Sequence, residues 1–136
     1  MSFLTPGKKN LITDVKGLYI GNSENELINT GSTILTCEDR FVASYKVLGG
    51  APGTRETDLL EPDKLVEKID ALVLSGGSAF GLEAASETVN LLRKDNKGYS
   101  VSNTKVPIVP SAIIFDLMSG GNKDWENNPY IDLAQK

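Results

Sequence analysis

Apolar and polar positions along the chain alternate in short runs, and β-branched residues are frequent in the first half. This pattern predicts four strands there, at residues 10–15, 18–20, 31–37 and 41–48. Polar stretches predict the turns between them, at Lys16-Gly17, at residues 21–26 and at residues 38–40. The last two strands would therefore form a hairpin.

The second half carries the strongest pattern in the chain. The apolar run 69–75 breaks at Gly76 and Gly77 and continues into alanine-rich sequence, which is typical of a buried strand that turns into a helix. Apolar residues then recur at helical spacing to about Lys94, and Gly98 would end this helix in a left-handed conformation.

Weaker patterns complete the prediction. Glu61-Pro62-Asp63 favours the start of a short helix, and a strand is expected from about Ala112, after an extended segment with two prolines. Asn128-Pro129 favours a last helix, which begins so close to Lys136, with no evident cap, that we expect the sequence to be a piece of a longer chain. Because strands and helices alternate irregularly, we predict one domain over residues 1–136 with an α/β (mixed α+β) fold, in which helices pack against a mixed sheet.

Composition narrows the possible chemistry. The chain has no histidine, so it cannot by itself assemble a Ser-His-Asp triad, a Cys-His pair or a histidine-bound zinc site. Cys37 is the only cysteine and has no cationic neighbour that would activate it, so we interpret it as a partly buried small hydrophobe rather than a nucleophile. We expect neither a metal nor a cofactor.

Charge and hydropathy argue against two kinds of partner. The net charge is −4, and Lys and Arg form no cluster, which disfavours nucleic acid as a ligand. No apolar run approaches the roughly 20 residues of a membrane helix, and residues 1–9 lack the apolar segment of a secretory signal. We therefore predict a cytoplasmic protein that binds neither nucleic acid nor a membrane.

The glycine turn after residue 75 is the first candidate site. Gly76 and Gly77 admit backbone angles closed to other residues, and a helix that begins here would point free N–H groups at an oxyanion, a carboxylate or a carbonyl oxygen. Ser78 does not fit the nucleophile motif G-x-S-x-G, because Phe80 stands where the last glycine should be. We therefore favour Ser78 as a helix cap over Ser78 as a nucleophile.

The second candidate site is the loop over residues 49–60, where three glycines and a proline precede a run of polar residues. This is either a solvated loop in which Arg55 pairs with Glu56 or Asp58, or a loop that binds a ligand, and composition favours the first alternative. Gly21-Asn22-Ser23 looks like a self-cleavage site, but a polar turn explains it fully.

Four stretches of the chain occur in a recognisable order, at residues 10–21, 49–60, 75–85 and 106–117. Together they closely resemble the L-aminopeptidase/D-esterase family, whose members are also called β-aminopeptidases. The resemblance implies part of an αββα sandwich of the type shared with ornithine acetyltransferase. It also implies a precursor that cuts itself into two chains and exposes a serine nucleophile, whose own α-amino group acts as the base.

The same resemblance implies that this chain is only the N-terminal part of such a precursor, because the family's cleavage site and serine lie further along than Lys136. The chain would then hold no catalytic residue and would be inactive alone. Its partners would be the missing C-terminal half or β chain, further copies in a homo-oligomer, and a substrate. The substrate would be a peptide or an amino-acid amide or ester whose N-terminal residue is released.

Substrate-pocket positions can be carried over from the family to the glycine turn, namely Gly76, Gly77, Ser78, Phe80 and Glu83. Some relatives have a tyrosine that assists at the oxyanion where this chain has Phe80, so Phe80 would only form the pocket wall. Glu83 either binds a substrate α-ammonium group or is a first-turn residue favoured by the helix dipole. Two alternatives to an enzyme part are a truncated, non-catalytic remnant acting as a binding or assembly module, and a free-standing domain that binds a small ligand at the glycine turn.

Overall fold

A computed structural model describes residues 4–136, and its centre is a five-stranded sheet. In chain order the strands are β1 (Leu18–Asn25), β2 (Thr30–Phe41), β3 (Thr54–Arg55), β4 (Ile69–Ser75), β5 (Tyr99–Val101), β6 (Thr104–Val106) and β7 (Ser111–Ile113). The order across the large sheet is β1-β2-β4-β7-β3, while β5 and β6 pair in a separate hairpin. Strands β4 and β7 are parallel, and the other neighbours in the large sheet are antiparallel.

Two α-helices and three short 3₁₀ helices accompany these strands. They are α1 (Glu83–Lys94), α2 (Pro129–Gln135) and the 3₁₀ helices Ile12–Asp14, Asp58–Leu60 and Ser78–Leu82. Helix α1 buries Ala84, Ala85, Thr88 and Leu92, whose spacing places them on one side of the helix. No helix within residues 4–136 is long and apolar enough to span a membrane.

Both α-helices lie on the same face of the large sheet. The alternation of side chains along β4 turns Ala71 and Val73 toward the helices, and Leu72 and Leu74 to the opposite face. The buried core comprises Ala71, Val73, Ala84, Ala85, Leu92, Val109, Tyr130, Leu133 and Ala134. The opposite face carries neither of the two α-helices of the described part of the chain, and Leu74 is 49% exposed there.

The structure confirms the mixed α/β class and the elements with the clearest patterns. Strand β4 occupies the predicted apolar run, and α1 ends at Lys94 as expected. The helix expected after Asn128 is present as α2, and the strand expected from about Ala112 is β7. Cys37 is partly buried, and burial, with a smaller contribution from Asp39, raises the pKa of its thiol, which agrees with a packing role.

The predicted pairing of the first strands is wrong. Residues 12–14 form a 3₁₀ helix instead of a strand, and the stretch predicted as the turn 21–26 lies almost entirely in β1. Strand β2 continues through residues 38–40 and pairs with β1, whereas residues 42–48 have no regular structure. The hairpin turns instead at residues 26–29, because the Asn25 side chain accepts hydrogen bonds from two backbone N–H groups there and Asn29 adopts a φ of +46°.

Three predictions about helix ends are also wrong. No helix follows Glu61, since Leu65 is 91% exposed and finds no surface on which a short helix could pack. Asn96, with a φ of +56°, takes the left-handed position after α1 that was expected of Gly98. Helix α2 does have a cap, because the Asn128 side chain accepts a hydrogen bond from the Tyr130 N–H.

Replacing Leu133 with alanine is expected to lower the free energy of unfolding by about 2–5 kcal/mol, because the substitution removes buried apolar surface and leaves a cavity. Leu133 is only 2% exposed and belongs to the core beneath α2. Leu65→Ala is the matched control and should change stability by no more than about 0.5 kcal/mol. Urea unfolding followed by circular dichroism measures both variants, and equal midpoints would contradict the packing of α2 on the sheet.

Candidate functional site

The glycine turn joins β4 to the 3₁₀ helix Ser78–Leu82, which leads directly into α1. Gly77 has a φ of +83°, and a side chain at this position would overlap the ring of Tyr130. A side chain at Gly76 would overlap Asp116 and Thr30. Close packing therefore requires glycine at both positions, and the left-handed backbone at position 77 favours it there as well.

The three N–H groups at this turn are all used inside the protein. The Gly76 N–H donates to the Gly31 carbonyl over 3.0 Å, and the Ser78 N–H donates to the Ile114 carbonyl over 2.9 Å. Between them, the Gly77 N–H donates to Oδ1 of Asp116 over 2.7 Å, in a buried position. The expectation that these groups are free for a ligand oxygen is wrong, because the protein's own carboxylate and carbonyls already satisfy them.

Asp116 lies at the centre of a polar cluster beneath the turn. Its Oδ2 accepts a hydrogen bond from the Thr30 hydroxyl over 2.5 Å, and that hydroxyl is 3.0 Å from the Tyr130 phenol oxygen. Asp116 is 9% exposed and Tyr130 is completely buried. The cluster thus gives a buried carboxylate the hydrogen bonds that offset its desolvation.

Burial raises the pKa of the Tyr130 phenol, the Thr30 hydrogen bond opposes this shift, and the nearby Asp116 carboxylate reinforces it. The phenol is therefore neutral at physiological pH and can act as a hydrogen-bond donor or acceptor. Because the folded-state pKa exceeds the ordinary value, the stability linked to the neutral phenol is complete below that ordinary value. It is lost as the pH rises through the higher folded-state value.

Ser78 does not have the predicted capping role. Gly77 occupies the cap position of the 3₁₀ helix, and no side chain makes a capping hydrogen bond there. Ser78 itself has a φ of +53°, which is uncommon outside glycine and asparagine and is held by its N–H bond to Ile114. The role of Ser78 in this turn is thus carried by its backbone.

Phe80 is half exposed beside a cavity of about 440 Å³. Its ring meets that of Trp125 edge to face at a centroid distance of 5.9 Å, and Trp125 meets Tyr130 in the same way at 6.3 Å. The Phe80 carbonyl accepts a hydrogen bond from Nδ2 of Asn128, which fixes this part of the turn to the start of α2. The cavity is lined by Phe80, Leu117, Lys123, Trp125, Glu126 and Asn128.

Glu83, the fifth predicted pocket residue, is exposed in the first turn of α1. It is not among the residues that line the cavity beside Phe80. Its position near the helix N-terminus agrees with favourable interaction with the helix dipole. The four other predicted residues thus lie together in the turn. Glu83 follows Phe80 by three residues and is the first residue of α1.

Residues 53–57 of the second candidate loop are partly buried, residues 49–52 are exposed, and the predicted pairing of Arg55 is wrong. Arg55 donates to the Ser86 hydroxyl on α1 over 2.5 Å instead of pairing with Glu56 or Asp58. The Glu56 carboxylate accepts the Val109 N–H over 3.3 Å. These contacts connect the loop to α1 and to the segment before β7, so they serve the fold.

Sequence reasoning missed the residues that hold the turn, namely Thr30, Asp116, Trp125 and Tyr130. One signal was available for Asp116, since a carboxylate directly after an apolar run is costly to bury without a partner. Its partner Gly77 is 39 positions earlier, however, and no local pattern connects the two.

Comparison with known proteins identifies the family. The model of peptidase family S58 matches residues 10–136. The chain belongs to this family. This confirms the resemblance to L-aminopeptidase/D-esterase proteins that the four sequence stretches carry.

Mycobacterial proteins are similar to this chain over most of its length. Uncharacterized aminopeptidase Mb1368 from Mycobacterium bovis and uncharacterized aminopeptidase Rv1333 from Mycobacterium tuberculosis are each 40% identical to this chain in an alignment that covers 92% of it. Uncharacterized aminopeptidase ML1167 from Mycobacterium leprae is 40% identical in an alignment that covers 82% of this chain. The chain spans 38% of the length of the first two relatives and 33% of the third.

Asp116→Ala is expected to lower the free energy of unfolding by about 1–3 kcal/mol, because it leaves the buried Gly77 N–H without an acceptor, whereas the Thr30 hydroxyl can still donate to the Tyr130 phenol oxygen. Asp116→Asn keeps one acceptor oxygen and should cost less than the alanine variant. Asp124→Ala, at an exposed loop position, is the control and should have little effect. Thermal and urea unfolding would measure the series, and an unchanged midpoint for Asp116→Ala would show that the carboxylate does not hold the turn.

Proposed function

We propose that this chain is the N-terminal portion of a serine aminopeptidase, which releases N-terminal residues from peptides, amides or esters. The family match over residues 10–136 carries the proposal, and the relatives named aminopeptidases support it. The nucleophile is a serine outside this chain, exposed by self-cleavage, and its own α-amino group serves as the base. A base of that kind fits a chain that contains no histidine.

The bare face of the large sheet supports the idea that further sequence belongs to the functional unit. Leu74 on β4 is 49% exposed, and Ile114 just after β7 is 67% exposed. A shallow apolar depression of about 280 Å³ lies between them, with Gly31, Thr33 and Ala112 in its lining. A second sheet placed on this face would bury these side chains and would complete an αββα sandwich.

In this proposal the glycine turn shapes the substrate pocket and contributes no reacting group. The N–H groups of Gly76, Gly77 and Ser78 donate to acceptors within the protein, so oxyanion stabilisation falls to other groups. Phe80 forms an apolar wall, because it has no hydroxyl to offer. Glu83 remains available for a substrate α-ammonium group.

The experiment compares the 136-residue chain with the longest product of the reading frame that contains it. Mass spectrometry of the longer product should reveal two chains, the second of which begins with serine. Aminoacyl-p-nitroanilides should be hydrolysed by the longer product, and the 136-residue chain alone should be inactive because it lacks the nucleophile. Hydrolysis by the chain alone, or by a longer product that stays uncut, would contradict the proposed mechanism.

The exposed sheet face also favours the second candidate, a non-catalytic remnant that acts as a binding or assembly module. Apolar surface of this kind is buried in most stable proteins, so a chain that functions without a further half should self-associate. Sedimentation velocity would detect this as a dimer or larger species. Leu74→Lys should shift the distribution toward monomer, while Leu65→Lys, at an exposed position outside the lining of the apolar depression, should not. A well-folded monomer at high concentration would count against the module.

A further inference from the structure

The cavity beside Phe80 combines an apolar wall with two side chains of opposite charge, Glu126 and Lys123. Phe80 and Trp125 contribute the aromatic rings, and Leu117 adds an aliphatic side chain. A volume of about 440 Å³ lies within the range of about 300–1,000 Å³ that is typical of small-ligand pockets. Phe80 is 52% exposed, so it is accessible to a ligand.

The polar side chains of this cavity differ in whether they are already hydrogen-bonded within the protein. Lys123 donates its ammonium hydrogens to the carbonyls of Ile28 and Asn29. The Asn128 side chain donates to the Phe80 carbonyl and accepts a hydrogen bond from the Tyr130 N–H. Neither of the ion pairs found within residues 4–136 includes Glu126, whose exposed carboxylate therefore has no cationic partner there.

We propose that this cavity binds an organic ammonium group that carries a large apolar substituent. The Glu126 carboxylate pairs with the ammonium, and Phe80, Trp125 and Leu117 contact the apolar substituent. Aromatic rings add to the attraction of Glu126 for a cation, and the ammonium of Lys123 is held on the carbonyls of Ile28 and Asn29. Resting on the proposed function, the ligand is the free N-terminal residue of a peptide with an aromatic or branched aliphatic side chain, and Glu126 is a specificity-determining residue.

Glu126 and Glu83 are thus the two alternative residues for binding the substrate amine. Glu126 lines the cavity together with the aromatic pair, while Glu83 lies outside that lining. An ammonium bound at Glu126 places its attached side chain directly on the apolar wall. The cavity therefore favours Glu126 over Glu83 for a residue whose amine and apolar side chain are recognised together.

Trp125 is the only tryptophan in the chain, so its fluorescence reports on this cavity without a label. Phenylalaninamide and leucinamide, titrated into the 136-residue chain, should change this fluorescence saturably. N-acetylphenylalaninamide lacks the charge and glycinamide lacks the apolar group, so each should bind at least about tenfold more weakly. Equal responses to all four compounds, or no response to any, would overturn the proposal.

Substitutions of single glutamates test which carboxylate binds the ammonium. Glu126→Gln should raise the Kd of phenylalaninamide about threefold to tenfold, as expected for a partly solvated ion pair. Glu67→Gln changes an exposed glutamate outside the cavity and is the matched control. Because position 126 is exposed, its variant should fold normally, which circular dichroism verifies. A loss of affinity on Glu83→Gln, with none on Glu126→Gln, would place the ammonium at the start of α1 and overturn the assignment.

Measurements of binding and of hydrolysis distinguish the failure of this inference from the failure of the proposed function. If the chain binds phenylalaninamide through Glu126 but the longer product hydrolyses no aminoacyl substrate, the binding site stands and the peptidase proposal fails. If the longer product hydrolyses such substrates and Glu126→Gln leaves KM unchanged for phenylalanyl and glycyl substrates alike, the peptidase proposal stands and the specificity role of Glu126 fails.

Discussion

The hydrogen bond from the Gly77 N–H to the Asp116 carboxylate is the interaction on which the candidate site depends. It joins the end of β4 to the segment after β7, and the second carboxylate oxygen reaches Thr30 at the start of β2. A buried carboxylate is costly without donors, and the left-handed backbone of Ser78, which follows Gly77, is costly unless its surroundings fix it. Each feature therefore stabilises the other, and Tyr130 links both to α2.

Local patterns were sufficient to predict the elements that lead into this interaction. The apolar run of β4, the two glycines and the helical spacing of α1 are properties of adjacent residues, and the structure has all three where they were expected. The Pro129 start of α2 is equally local, since proline is well suited to the first helical position. Elements of this kind can be predicted because their energetics depend on few residues outside the segment.

The features that the sequence did not predict depend on contacts between distant residues. The polar stretch after Ile20 forms a strand because β2 offers it a complete set of partners, from Leu18 opposite Cys37 to Asn25 opposite Thr30. Arg55 reaches Ser86, which is 31 positions away, and so avoids the acidic neighbours that composition suggested. Tertiary pairing thus overrides local preference wherever a partner supplies the missing hydrogen bonds.

The internal use of the turn's N–H groups also constrains the chemistry that is possible here. A helix N-terminus with free donors could stabilise an oxyanion, but the donors of Gly76, Gly77 and Ser78 already have acceptors at 2.7–3.0 Å. A substrate oxygen could gain these donors only by displacing Asp116 or a carbonyl, which would leave a buried acceptor unsatisfied. The turn is therefore suited to holding Phe80 in a fixed position rather than to supplying these three donors to a ligand.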